Sequence, residues 1–324
     1  MRVLEIVLQG KESTALEPLL EHDKVVEHWS YQSDTGETVV KVLLQDEHAS
    51  DLLGELEKKY LQRVVIYPVE GTLPQVTPKP EAKEEKIRIG KFISISKEEL
   101  YHDIATPVNL TINFVLMVIL SAFVAGIGIL KDNLAIIIGA MVIAPFLGPN
   151  MSLAFGTTLG DVSIIRKSVW TGIAATLIAL VISMVWGLTA QDLSQVTNDP
   201  HIEYRDIILA LVCGFAGAVS VVSGQGTTLV GVMVAAALLP PLMRGGLYIG
   251  GGAMGYALNS LLIFGANVIS LNIAGIVTFY LAGIRPGRWW DKEKAKRQTR
   301  KAFIAWTVAL LLLLAAIMVI DALG

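Results

Sequence analysis

Two hydrophobic patterns follow one another along the chain. Up to residue 70, apolar and polar positions alternate in short runs; from residue 108 the apolar positions merge into stretches of about twenty or more. VLEIVLQ (3–9) reads as a strand, and STALEPLLEH (13–22) as a short helix opened by Ser13. KVVEHWSYQ (24–32) and ETVVKVLLQ (37–45) read as strands around a turn at Asp34, Thr35 and Gly36. ASDLLGELEKKY (49–60) has helical spacing at Leu52, Leu53 and Leu56, and RVVIYPVE (63–70) closes as a strand. The order βαββαβ is that of an α+β, ferredoxin-like module over residues 1–70. Such a module serves as a small-molecule sensor or as a dimerisation unit, and Gly10 either lines a ligand site or makes a tight turn.

Residues 71–107 read as a linker and a juxtamembrane helix, and 71–95 carry Pro74, Pro78, Pro80 and the EAKEEK run, the composition of a linker. Ser96 and Glu99 form a capping box for a juxtamembrane amphipathic helix over 96–105, which Pro107 ends. Ile95, Leu100 and Ile104 would lie on the membrane surface or against the soluble domain. The apolar stretches then predict a membrane all-α bundle of about seven transmembrane helices: 108–130, 134–157, 168–190, 206–222, 227–250, 256–283 and 302–322.

One stretch occurs twice at a constant offset of 92 residues. Residues 121–156 align without a gap on 213–248, with eight identities in thirty-six, among them Phe123/Phe215, Met141/Met233 and Pro149/Pro241. Repeat one then spans 108–190 and repeat two 206–283, with 302–322 an extra helix outside them. Three spans per unit is an odd number, so the second unit enters from the opposite side and the repeats are inverted, as in many secondary transporters.

Charge fixes the orientation. Residues 1–107 hold 13 basic and 20 acidic residues, whereas residues 284–301 hold eight basic residues in one short connection. Arg166 and Lys167 fall on the same side, and 191–205 has one arginine against three acids. The positive-inside rule puts the N-terminus in the cytoplasm and the C-terminus outside; MRVLEIVLQG has no signal-peptide pattern. The basic connection reads as this topology signal, so no nucleic-acid partner is expected.

The prolines supply the candidate site. A proline removes one amide hydrogen and frees the carbonyl four residues earlier. Pro145 and Pro149 free the carbonyls of Met141 and Pro145; Pro240 and Pro241 free those of Ala236 and Ala237. Two broken helices at matching depth predict a midplane cavity lined by carbonyls and helix N-termini; the alternative is a pair of kinks sealed by neighbouring helices. The candidate solute-binding residues are Pro145, Pro149, Asn150, Gln225, Thr227, Pro240, Pro241, Arg244, Asn113 and Asn267. Arg244 would neutralise an anion or snorkel to the interface. The amides and hydroxyls otherwise bond between helices, as do Asn259, Ser270 and Asn272. Small-residue pairs such as Gly214/Ala218 and Gly246/Gly250 favour close helix packing, within one subunit or between copies of a homo-oligomer.

Several chemistries are not expected. A lone cysteine, Cys213, allows no intrachain disulfide and no iron–sulfur cluster, and no cofactor or metal is foreseen. No GxxxxGK[ST] loop occurs, which argues against direct ATP drive. The five histidines, at 22, 28, 48, 102 and 201, lie outside the spans, so an intramembrane enzyme lacks an evident base. The leading expectation is a transporter or channel for an unidentified small solute or ion; the alternative is a sensor that the membrane part anchors and oligomerises.

IGAMVIAPFLGPNMSLAFGTTLGD (138–161), GFAGAVSVVSG (214–224) and GVMVAAALLPPLMRGGLYIGGG (231–252) resemble, in order, the hallmark blocks of the domain-of-unknown-function 389 family. IFGANVISLNIAGIVTFYLAG (263–283) resembles its last block and SKEELYHDI (96–104) its lead-in helix. The N-terminal module resembles the long form of that family. The resemblance implies a multi-pass protein of a prokaryotic cell membrane, and implies no substrate.

Overall fold

Alternation along the first strand decides which face of the N-terminal sheet is covered. In the computed structural model, Leu4, Ile6 and Leu8 of β1 (Arg2–Leu8) are buried, and they face Val40 and Val42 of β3 (Thr38–Leu44). The structure describes residues 1–8, 25–33, 36–45, 52, 64–69, 100, 101, 104, 109–189, 204–224, 228–284, 304–308 and 311. With β2 (Val25–Gln32) and β4 (Val64–Pro68), the strands form an antiparallel sheet of order β2-β3-β1-β4. The pairing of Leu4 with Val42 and Ile6 with Val40 fixes the register, since a one-residue slip would turn this set outward. Leu52, Val64 and Ile66 pack on the same core. Both helices expected here, 13–22 and 49–60, lie outside the described residues apart from Leu52. On the other face Lys41 pairs with Glu5 at 3.0 Å and sits 5.5 Å from the Tyr31 ring centroid.

The chain separates into two units, Met1–Glu99 and Leu100–Gly324. The second is helical: α1 (Ile112–Leu130), α2 (Leu134–Ile143), α3 (Leu147–Leu159), α4 (Val162–Thr189), α5 (Tyr204–Ser223), α6 (Thr228–Gly250) and α7 (Met254–Leu281). Thr111 caps α1 by accepting from the Phe114 amide, and Asn133 caps α2 by accepting from the Ala135 and Ile136 amides. Five of these helices are long and apolar enough to cross a membrane, and α2 with α3, bent by 52°, makes up to six spans. Of the expected seventh span, 302–322, only 304–308 and 311 are described, and they are helical.

Side-chain size, not hydrophobicity, sorts the faces of α4. Past Ile164 in its first turn, its buried stripe reads Ser168, Thr171, Ala175, Ala179, Ser183 and Gly187, while Trp170, Ile173, Leu177, Val181 and Val185 point outward. In lipid, large apolar side chains lose nothing by staying outside, and small ones let backbones approach. Gly246 and Gly250 of α6 lie so close to Ser183 and Gly187 that a Cβ on either glycine would run into α4. The Ser183 hydroxyl also donates to the Met243 carbonyl at 2.9 Å. On the other side of the bundle, Gly275 of α7 packs on Ala154 of α3, and the Phe155 and Phe279 rings meet edge to face at 5.5 Å. These contacts make α4 parallel to α6 and α3 parallel to α7. Gly245 against Leu261 and Ala237 against Asn267 make α6 and α7 antiparallel.

One expectation is corrected. Pro240 and Pro241 do not break a helix: α6 runs continuously from Thr228 to Gly250 with both inside it. Part of the reason is that Asn267 of α7 donates its side-chain amide to the Ala237 carbonyl, 2.7 Å away, which is the group that Pro241 leaves without a partner.

Candidate functional site

At the first proline pair the break is real. Ala144 leaves α2 with ψ at 119°, an extended value, and Pro145 follows it. A residue before proline is pushed out of the helical region, so the chain turns there. Pro149 then falls in the first turn of α3, where an amide hydrogen has no helical partner anyway, and is tolerated.

That turn presents Asn150. Its Nδ2 donates to the Phe146 carbonyl at 2.8 Å, and its Oδ1 accepts from Nδ2 of Asn272 on α7 at 3.1 Å. Asn272 also donates to the Val268 carbonyl, and its own Oδ1 is buried without a hydrogen bond. A cavity of about 330 Å³ lies against this break. Pro149, Asn150 and Leu153 line it from α3, with Phe146 at the helix start. Ser168, Gly172 and Thr176 line it from α4, Leu238 from α6, and Phe264 and Val268 from α7.

The sequence-derived site residues divide accordingly. Pro149 and Asn150 line the cavity; Pro145 makes the break and does not. Asn113 is exposed in the first turn of α1 and does not line the cavity. Asn267 is buried between α7 and α6 as the partner of Ala237. Pro240, Pro241 and Arg244 stay within α6 and do not line the cavity, although Nε of Arg244 is buried with no hydrogen bond. Gln225 and Thr227 lie outside the described residues. Sequence reasoning missed the α4 wall: Gly172 and Thr176 sit in uncharged apolar sequence with nothing to mark them.

A second site of contact lies at the start of α4. Leu100 and Ile104 are buried, with Ser152 of α3 donating its hydroxyl to the Ile104 carbonyl at 2.8 Å. The Tyr101 hydroxyl donates to Asp161 at 3.2 Å, and its ring lies 6.4 Å from that of Phe155. Asp161 also caps α4 through the Ser163 and Ile164 amides. Burial, and then the Asp161 carboxylate, push the Tyr101 hydroxyl above its ordinary pKa. The amphipathic face expected on the membrane surface or the soluble domain therefore belongs, at Leu100 and Ile104, to the helical unit.

A family model described as "Domain of unknown function (DUF389)" matches residues 141–273. An uncharacterized protein of Methanocaldococcus jannaschii is 37% identical over 271 residues, covering 83% of this chain and 82% of the relative. No solved structure matches the chain. The matched region begins beside the α2–α3 break and runs past Asn272, and with the length of the archaeal match it establishes that the chain belongs to the DUF389 family.

Proposed function

We propose that the protein is a secondary transporter or channel for a small solute, whose site is the cavity at the α2–α3 break. The observation that carries this reading is the coincidence of the broken helix, the buried Asn150–Asn272 pair and a cavity of about 330 Å³. The proposal includes an inverted repeat, and contacts paired at the same offset support that part of it. Ser183 and Gly275 are 92 residues apart, as are Ala154 and Gly246, so the Ser183–Gly246 contact has its counterpart in Gly275–Ala154. Gly187 against Leu247 likewise corresponds to Phe279 against Phe155. Since α4 is parallel to α6 and α6 antiparallel to α7, the third helices of the two units run in opposite directions. The proposal includes a prokaryotic cell membrane, a cytoplasmic N-terminus and an external C-terminus, on the charge asymmetry of the connections. It also takes the N-terminal unit as ferredoxin-like and regulatory, for which the strand order β2-β3-β1-β4 is the support.

Thr176→Cys in a Cys213→Ala background tests the site. Labelling by a membrane-impermeant maleimide would be compared in intact cells and in inverted vesicles. Reaction from both sides is the expected result for a carrier or channel; protection on both sides overturns it. Reaction from one side only favours the second reading, a homo-oligomeric sensor with a dead-ended membrane pocket. That reading has its own observation: Trp29, Tyr31 and Tyr67 of the sheet are 42–45% exposed, a surface suited to self-association.

A further inference from the structure

The walls of the cavity restrict what it can hold. Among the described residues, three polar side chains line it, Asn150, Ser168 and Thr176, and no ionisable one does. The Ser168 hydroxyl donates to the Ile164 carbonyl and that of Thr176 to the Gly172 carbonyl, each at 2.8 Å, so both protons are committed to α4 itself. Asn150 has one N–H on the Phe146 carbonyl and its oxygen on Asn272, which leaves one N–H to offer. The other described lining side chains are hydrocarbon: Phe146, Pro149, Leu153, Leu238, Phe264 and Val268, with Val169, Ile173 and Leu177 at the exposed rim and Gly172 bearing none.

We infer that the cavity's ligand is an uncharged, largely apolar small molecule that accepts one hydrogen bond, from Asn150. This rests on the reading of the cavity as the functional site. An ion entering it would lose its hydration shell and meet one spare donor and two hydroxyl oxygens, too few to replace that shell. Arg244, the cation nearest in sequence to the second proline pair, is not part of the wall. At about 330 Å³ the space lies near the lower end of small-molecule pockets, roughly 300–1,000 Å³, which are mostly apolar with a few placed polar groups. An alcohol or ketone on a short hydrocarbon skeleton has this chemistry. A lipid acyl chain shares the apolar part and lacks the acceptor at its end.

A diazirine-bearing analogue of octan-1-ol supplies the probe, with the whole protein in lipid nanodiscs. Photolabelling is expected to concentrate at 146–153 and 168–177, and to fall when octan-1-ol is added in excess. Gly172→Phe should reduce it at least tenfold. A Cβ at Gly172 meets only Pro149, at 4.0 Å, so the ring has the cavity to enter. Val268→Phe, from the opposite wall, should do the same if Gly172→Phe lowers the melting temperature. Three results overturn the inference: label spread equally along the outer face of α4 at Val181 and Val185, displacement by sodium phosphate or acetate, or displacement by dioctanoyl phosphatidylcholine and not by octan-1-ol. The last makes the seat a lipid's. If labelling fails while Thr176→Cys still reacts from both sides, the ligand class falls and transport stands. If labelling succeeds and Thr176→Cys is protected on both sides, transport falls and the ligand class stands.

Discussion

Nδ2 of Asn267 donates to the carbonyl oxygen of Ala237 across the α6–α7 interface, 2.7 Å away, and Pro241 is the reason that oxygen is free. A buried carbonyl without a donor costs about 1–3 kcal/mol. Asn267→Ala should lower stability by about that amount, measured by denaturation in detergent. Pro241→Ala restores a backbone N–H to the same oxygen. The double variant should therefore lose at least ~1 kcal/mol less than the sum of the singles. Simple additivity would show that the bond does not hold α6 together.

Close packing separates glycines that look alike in sequence. A methyl at Gly246 runs into Ser183 and the Leu180 carbonyl, so Gly246→Ala should cost about 1–3 kcal/mol. At Gly139, in α2, a methyl would meet nothing within 4 Å, and Gly139→Ala should be neutral or stabilising by up to about 1 kcal/mol. Melting temperatures of the two variants are expected to move apart; equal losses would contradict the α4–α6 geometry.

Tyr101 gives the lead-in segment a titratable anchor. Its pKa is raised in the fold, first by burial and then by Asp161, so neutral Tyr101 contributes stability that is fully present below pH ~10 and lost as pH rises through the raised value. Cleavage of residues 96–107 by an alkali-tolerant protease should rise over that window. Tyr101→Phe should cleave faster at neutral pH and lose the alkaline step. Asp161→Ala removes the anchor and the α4 cap together, and should cost about 1–2 kcal/mol by denaturation.

Arg244 separates an anion site from the cavity. Arg244→Gln should leave octanol-analogue labelling within twofold of the unmodified protein, because the side chain does not line the cavity. A tenfold loss would bring α6 into the site and return the anion reading.

What the sequence could reveal followed from patterns one residue deep. Alternation placed β1 to β4, and apolar length placed α1, α4, α5, α6 and α7. The Pro145 break was legible because no partner is needed to make it. Pro240 and Pro241 misled because the Ala237 carbonyl finds its donor in Asn267, thirty residues from Ala237 and in another helix. Asn113 misled for a related reason: an asparagine in an apolar run does not disclose which face it occupies. Gly172 and Thr176 carry no local signal; what makes them a wall is the helix opposite.

The outward large residues and inward small ones of α4 also bear on the heat capacity of the molecule. Unfolding a water-soluble domain exposes apolar surface to water, and that exposure gives its stability curve strong curvature. If α4 parts from α6 within a bilayer, Ser183, Gly187, Gly246 and Gly250 meet acyl chains, and Trp170, Leu177 and Val181 face what they faced before. Little new surface is hydrated. The stability of the helical unit should therefore vary almost linearly with temperature, without the maximum and the cold-side decline of a soluble protein.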